Sequence, residues 1–101
     1  MNKNMLQQAQ RLQAMFIKAQ EELAALTIEG SAGGGMVKVV MNGQSQIQSV
    51  KMAPEVINPQ EIEMLEDLVL AAVKDAAAKA KEASDKKLGA LTGGIKIPGL
   101  M

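Results

Sequence analysis

The chain has 101 residues, of which 48% are hydrophobic and 22% charged, and its 11 basic and 11 acidic residues cancel to no formal net charge. It has no cysteine, no histidine and one aromatic residue, Phe16, which excludes disulfides, zinc–thiolate centres, thiol nucleophiles and the commonest general base. One domain accounts for this length, and without large rings to bury, its core is thin for a monomer, so an oligomer is expected.

Residues 4–26 predict a helix. Met5, Ala9, Leu12, Phe16, Ala19, Leu23 and Leu26 alternate spacings of four and three, a heptad seam. Gln, Ala and Leu between them are good helix formers. The apolar positions near the start are interleaved with Gln, so a signal peptide is not expected. No run reaches the ~18 apolar residues of a membrane span, and a cytoplasmic location is expected.

Thr27, Ile28 and Glu29 read as a short strand, "GSAGGG" as a flexible connection, and Met36 to Met41 as a Val-rich second strand. Asn42-Gly43 is a strong two-residue hairpin signal, and Ser45 to Met52 returns as a third strand. Val37, Val39 and Met41 share one face, while Met36 and Val40 take the other. Apolar residues on both faces call for two covers, this chain's helices and a second copy. Asn58, Pro59 and Glu61 then start a second helix, as cap, first-turn proline and capping-box acid. It is expected to run to about Lys87, with Ile62, Leu65, Val69, Ala72, Ala76, Ala80 and Ala83 as its stripe. The Gly-rich end containing Pro98 reads as a mobile tail over residues 92–101 after a single domain over 1–91.

The expected fold class is therefore α+β, an α-β-β-β-α chain with a three-stranded antiparallel sheet and two long helices. Charge is divided along it. Residues 1–20 carry Lys3, Arg11 and Lys18 with no acid, net +3; residues 21–73 carry Lys38 and Lys51 against eight acids, net −6; residues 74–101 carry six lysines against Asp75, Glu82 and Asp85, net +3. Packing the two seams antiparallel would bring both basic ends to one tip, on an acidic base.

Catalytic, cofactor and metal sites are not expected. "GSAGGGM" lacks the G-K-[ST] of a phosphate loop and precedes a strand rather than a helix. Glu61, Glu63, Glu66 and Asp67 fall in the first turns of a helix, where acids are favoured by the helix dipole. The 8 methionines are scattered and read as packing. The basic residues remain. With no aromatic interleaving, single-strand stacking is not supported; with no helix-turn-helix or zinc signature, neither is base-specific reading. Phosphate contact with double-stranded DNA is what this composition leaves.

"MLQQAQRLQ", "QEELAALTIEGSAGGGMVKVVMNGQ", "EMLEDLVLAAVKDA", "LTGG" and Pro98-Gly99 stand in the order and spacing of the YbaB/EbfC family of bacterial nucleoid-associated proteins, which the chain resembles over nearly its whole length. The resemblance implies a tweezer-like homodimer, its sheets joined at the base and its helical arms embracing double-stranded DNA, in the nucleoid. It also implies recombination and repair proteins as further partners. Carried over by position, the DNA contacts are Arg11, Lys18, Lys79, Lys81, Lys86 and Lys87; Lys3 is added from its charge. After Asn42-Gly43 the hairpin reads Gln44, Ser45, Gln46 and Gln48, with Lys51 alone. It is less basic than is common in such relatives, so the sheet is expected to contribute little. Two other readings fit paired helices around a hairpin. One is a prefoldin-like chaperone gripping clients with Met1, Met5, Leu6, Leu88 and Leu91; the other is an adaptor dimer recruiting repair proteins.

Overall fold

The computed structural model describes residues 3–91. The chain runs through α1 (Lys3–Ala24), β1 (Ile28–Ala32), β2 (Val37–Met41), β3 (Ile47–Met52), 3-10 turns at Pro54–Val56 and Pro59–Glu61, and α2 (Ile62–Leu91). The strands form one antiparallel sheet in the order β1-β2-β3. This is the expected α+β layout. The tail expected over 92–101 lies outside the described residues.

The glycine-rich stretch is more ordered than a flexible connection. Gly30 to Ala32 belong to β1, and the chain turns over Gly33 to Met36, with Gly33, Gly34 and Gly35 at φ of 65°, 67° and 92°. Three successive left-handed residues are cheap only for glycine. Gly30 serves a different purpose. A Cβ built on it would lie 2.2 Å from the Ala76 backbone nitrogen and 2.6 Å from the Ala72 carbonyl oxygen. So β1 touches the α2 backbone, at a point where α2 offers only the fully buried Ala72 and Ala76.

Register decides which face is the core. Gly30 pairs with Val39 and Val39 with Val50; Ala32 pairs with Val37 and Val37 with Met52. Directly paired residues share a face, so all of these point toward α2. Val37, Val39 and Met41 are buried there with Val56, Ala72 and Ala76, and Leu65, Leu68, Val69 and Val73 close around them. The opposite face carries Glu29, Ser31, Lys38, Val40, Ser49 and Lys51. Apart from Val40 it is polar, so the sheet does not need the second cover expected for a two-faced apolar sheet. The uncovered apolar surface lies elsewhere. α2 lies across β1 and β2, leaving Val50 and Met52 at 43% and 44% exposure on the helix side of β3. Ile62, the first position of the expected stripe, and Leu70, which lies outside it, are also more than half exposed, while Leu65 and Val69 of the stripe pack against the core.

The hairpin forms where Asn42-Gly43 announced it, but the turn is longer than two residues. Gly43 is not left-handed; Ser45 is, at φ 63°. The buried Asn42 side chain accepts from the Gln44 and Gln46 backbone N–H groups (2.9 and 3.0 Å) and donates to Gln46 Oε1 (2.7 Å). Gly43 instead donates its N–H to the Leu23 carbonyl at 2.8 Å. A Cβ there would sit 2.7 Å from that same oxygen. The glycine thus ties the last turn of α1 to the hairpin. Asn58 caps as expected, accepting from the Gln60 N–H at 2.9 Å, although Pro59–Glu61 is a 3-10 turn and the α-helix proper begins at Ile62.

The helix seam is half-closed. Ala19 and Leu23 are buried on α1, and Ala80 is fully buried on α2. Above Phe16 the stripe is exposed, and Leu12 is 44% accessible. The end of α2 (Lys87, Ala90, Leu91) shares a hollow of about 360 Å³ with Met15, Lys18, Ala19 and Glu22. The described part of α2 therefore stops level with the middle of α1, and among the described residues Lys87 meets Glu22 rather than the start of α1. The first half of α1, about 18 Å long at 1.5 Å per residue, projects beyond α2.

The Gly30 contact gives a direct test. Gly30→Ala must push β1 off α2, an overpacking cost of about 1–3 kcal/mol. In a chain of this size that should lower the melting temperature by about 5–15 °C, read by circular dichroism; an unchanged melting curve would mean that strand and helix are not in backbone contact.

Candidate nucleic-acid interface

The basic residues lie where the helices leave the sheet. On α1, Lys3, Arg11 and Lys18 are exposed, with no acid before Glu21. At 100° per residue they fall on the side of the helix opposite the Ala9–Leu12–Phe16 stripe. Packing the stripe inward turns these charges outward. On α2, Lys79, Lys81, Lys86 and Lys87 lie in the last four turns, with none in the final turn where the helix dipole acts.

Their surroundings divide them into two sets. Lys79 bonds Asp75 at 3.1 Å and donates to the Glu29 carbonyl at 3.2 Å. Lys81 pairs with Asp85 at 2.9 Å. Lys87 pairs with Glu22 across the two helices. Lys3, Arg11, Lys18 and Lys86 make no ion pair among the described residues. The sequence placed all seven in one class because it does not show which acid each lysine meets. An i,i+4 scan would have found Asp75–Lys79 and Lys81–Asp85; Glu22–Lys87 is visible only once the helices are packed.

Lys79 has a structural position. β1 is an edge strand, and α2 runs beside it. Asp75 accepts the outward Ser31 N–H at 3.0 Å while Lys79 donates to the outward Glu29 carbonyl. Two side chains of α2 thus occupy the backbone groups that would otherwise invite another strand. The Ser31 N–H, then Lys79, hold the Asp75 carboxyl below its ordinary pKa. Glu22 is also lowered, by its hydrogen bond to Lys87 and the charge of that lysine, with a smaller pull from Lys18.

One basic pair escaped the sequence reading. Lys38 and Lys51 stand directly opposite each other on β2 and β3, on the face away from α2. Like charges in direct register repel, so this face is a second cationic surface. The register between the strands was the missing information. The opposite sign gathers at the start of α2, where Glu61, Glu63, Glu66 and Asp67 are all exposed. Among the described residues there is no cluster of acids that could hold a metal ion, and no helix long and apolar enough to cross a membrane.

Comparison with known proteins matches the whole of this architecture. The model of the YbaB/EbfC DNA-binding family matches residues 1–95. A nucleoid-associated protein of Pelotomaculum thermopropionicum is 47% identical over 96 residues, covering 95% of this chain and 91% of that protein. One from Roseiflexus sp. (strain RS-1) is 48% identical over 100 residues, covering 98% and 99%. A crystal structure of an uncharacterized protein from Helicobacter pylori superposes with a TM-score of 0.75 at 19% identity, covering 92% of this chain and 97% of that one; it shares the fold.

The two depressed carboxylates fix the sign of an acid response. Each has a lower pKa folded than unfolded, so its contribution is present above the ordinary carboxylate pKa and lost as pH falls through the folded one. The melting temperature should decline on acidification below the ordinary carboxylate range. Asp75→Asn, which keeps an acceptor for Ser31 and removes the charge, should flatten that decline; an identical pH profile would show that the Asp75 charge does not matter to the β1 edge.

Proposed function

Because the chain belongs to the YbaB/EbfC DNA-binding family, we propose that it works as a homodimeric, non-enzymatic nucleoid protein that holds double-stranded DNA through the phosphates its helical arms can reach. The observation that carries this reading is the placement of Arg11, Lys18 and Lys86. All three are exposed cations outside any ion pair among the described residues, on helices that extend away from an acidic base. An anionic rod is attracted to the arms and repelled from the exposed acids at the start of α2. Nothing on the arms reads base edges, so binding is of low sequence preference and influences nucleoid organisation and gene expression through occupancy. Lys79 and Lys81, tied to Asp75 and Asp85, contribute less than Arg11, Lys18 and Lys86.

The homodimer rests on the unfinished core. Val50 and Met52 extend the buried Val37–Val39 layer sideways onto β3, where α2 does not cover them. A second copy seated against β3 and the adjacent flank of α2 would complete that layer. Val50→Asp adds a charge to this surface and loses ~1.5–3 kcal/mol of burial in the dimer. Sedimentation should then report a monomer where the parent sediments as a dimer; a parent that is monomeric at micromolar concentration would end this part of the reading.

The DNA part is tested by salt. About 4–6 phosphate contacts per dimer give a slope of log K against log salt of about −4 to −5. Reversing Arg11 and Lys86 to Glu should weaken duplex binding by about tenfold or more and equally across sequences. Reversing Lys38 and Lys51 should do much less. If the sheet reversal abolishes binding while the arm reversal leaves affinity and slope intact, the DNA lies on the back of the sheet instead.

A further inference from the structure

The first half of α1 carries a seam without a cover among the described residues. Leu12, one heptad above Ala19, and Ala9, two heptads above Leu23, continue the stripe that is buried lower down. Both are exposed, because the described part of α2 ends beside Met15. The surface is thus a direct continuation of an established helix–helix interface, with the same spacing of four and three.

The chemistry of its margins selects the occupant. In a heptad with Leu12 and Ala19 at d and Ala9 and Phe16 at a, the flanking positions over this half are Leu6, Gln8, Gln13 and Met15. None is charged. Lys3, Arg11 and Lys18 all lie on the far side. The margin has no cation to recruit an acidic helix and no acid to recruit a basic one, but it does allow like to meet like. Antiparallel pairing also brings small against large, Ala9 of one copy facing Leu12 of the other in both directions. It sets the two helix dipoles head to tail and keeps the basic faces on opposite outer sides.

We infer that the projecting half of α1 pairs antiparallel with the same segment of a second copy, through Ala9 and Leu12. The contact spans only about two heptads, so it is weak and reversible. It uses the apolar face of the arm and leaves the cationic face outward. It neither requires DNA nor depends on the DNA reading.

The native chain has no cysteine, so single cysteines report the contact cleanly. Ala9→Cys and Leu12→Cys proteins, mixed as full-length chains without DNA and oxidised mildly, should form the mixed disulfide, because the proposed layer brings these positions within the ~5.5–6 Å Cα separation a disulfide needs. Its rate should exceed by about tenfold that of any disulfide involving Gln10→Cys, which lies on the opposite side of the helix. Labelling of the Ala9→Cys protein by a maleimide should slow as protein concentration rises. Equal crosslinking at residues 9 and 10 would overturn the proposal, as would a preference for like-with-like disulfides over the mixed one. Protection of the Ala9→Cys thiol that does not change with concentration would place the cover within the same chain. Protection appearing only with phosphatidylglycerol vesicles would place it in a lipid surface. Either result would also refute pairing between copies.

Discussion

The backbone contact between β1 and α2 at Gly30 sets the geometry of the rest. Packed layers normally keep their distance, about 10 Å between stacked sheets, because side chains stand between them. Here the strand offers no side chain and the helix offers alanines, so α2 sinks onto β1. That places the helix off-centre, over one side of a three-stranded sheet. Its lower flank then seals the β1 edge through Asp75 and Lys79, and its upper flank leaves β3 bare. It also aims α2 along the line on which Lys87 meets Glu22 of α1. The loss of core volume at Gly30 is thus repaid in position: a small residue at one point directs two helices.

The hairpin makes the second anchor. α1 has few buried residues of its own, and its direction comes from Leu23 and from the Gly43 N–H on the Leu23 carbonyl. Asn42 holds that loop rigid with three hydrogen bonds from one buried side chain, and none of its polar atoms is left unsatisfied. Both anchors depend on a glycine for closeness of approach rather than for a left-handed turn. This is why Asn42-Gly43 gave the hairpin correctly and its turn type wrongly.

Much of the fold was legible. The heptad stripe, the Val alternation and the Asn58-Pro59 start are local signals, and local signals set the order of the elements. The relation between elements was less readable. Gly30 looked like linker because a glycine chosen for what it touches resembles one chosen for freedom. Val40 and Met36 suggested a second apolar face, since alternation alone does not say that Glu29, Ser31, Lys38 and Lys51 dominate that side once strands are registered. Among the candidate site residues, position along the chain identified the cations, but their availability depends on partners. Lys87 and Glu22 lie 65 positions apart in sequence, and only the packing of α1 on α2 brings them together.

The sealing of β1 has a consequence for growth. A sheet with two open edges can extend without limit, each added chain presenting a fresh edge to the next. This one presents a single usable border, along β3, because the other is already occupied from within by a carboxylate and an ammonium. Any association that uses that border is complete after one addition. Unbounded strand-to-strand stacking is thereby excluded, a safeguard of value to a protein that an anionic polymer would gather at high local concentration.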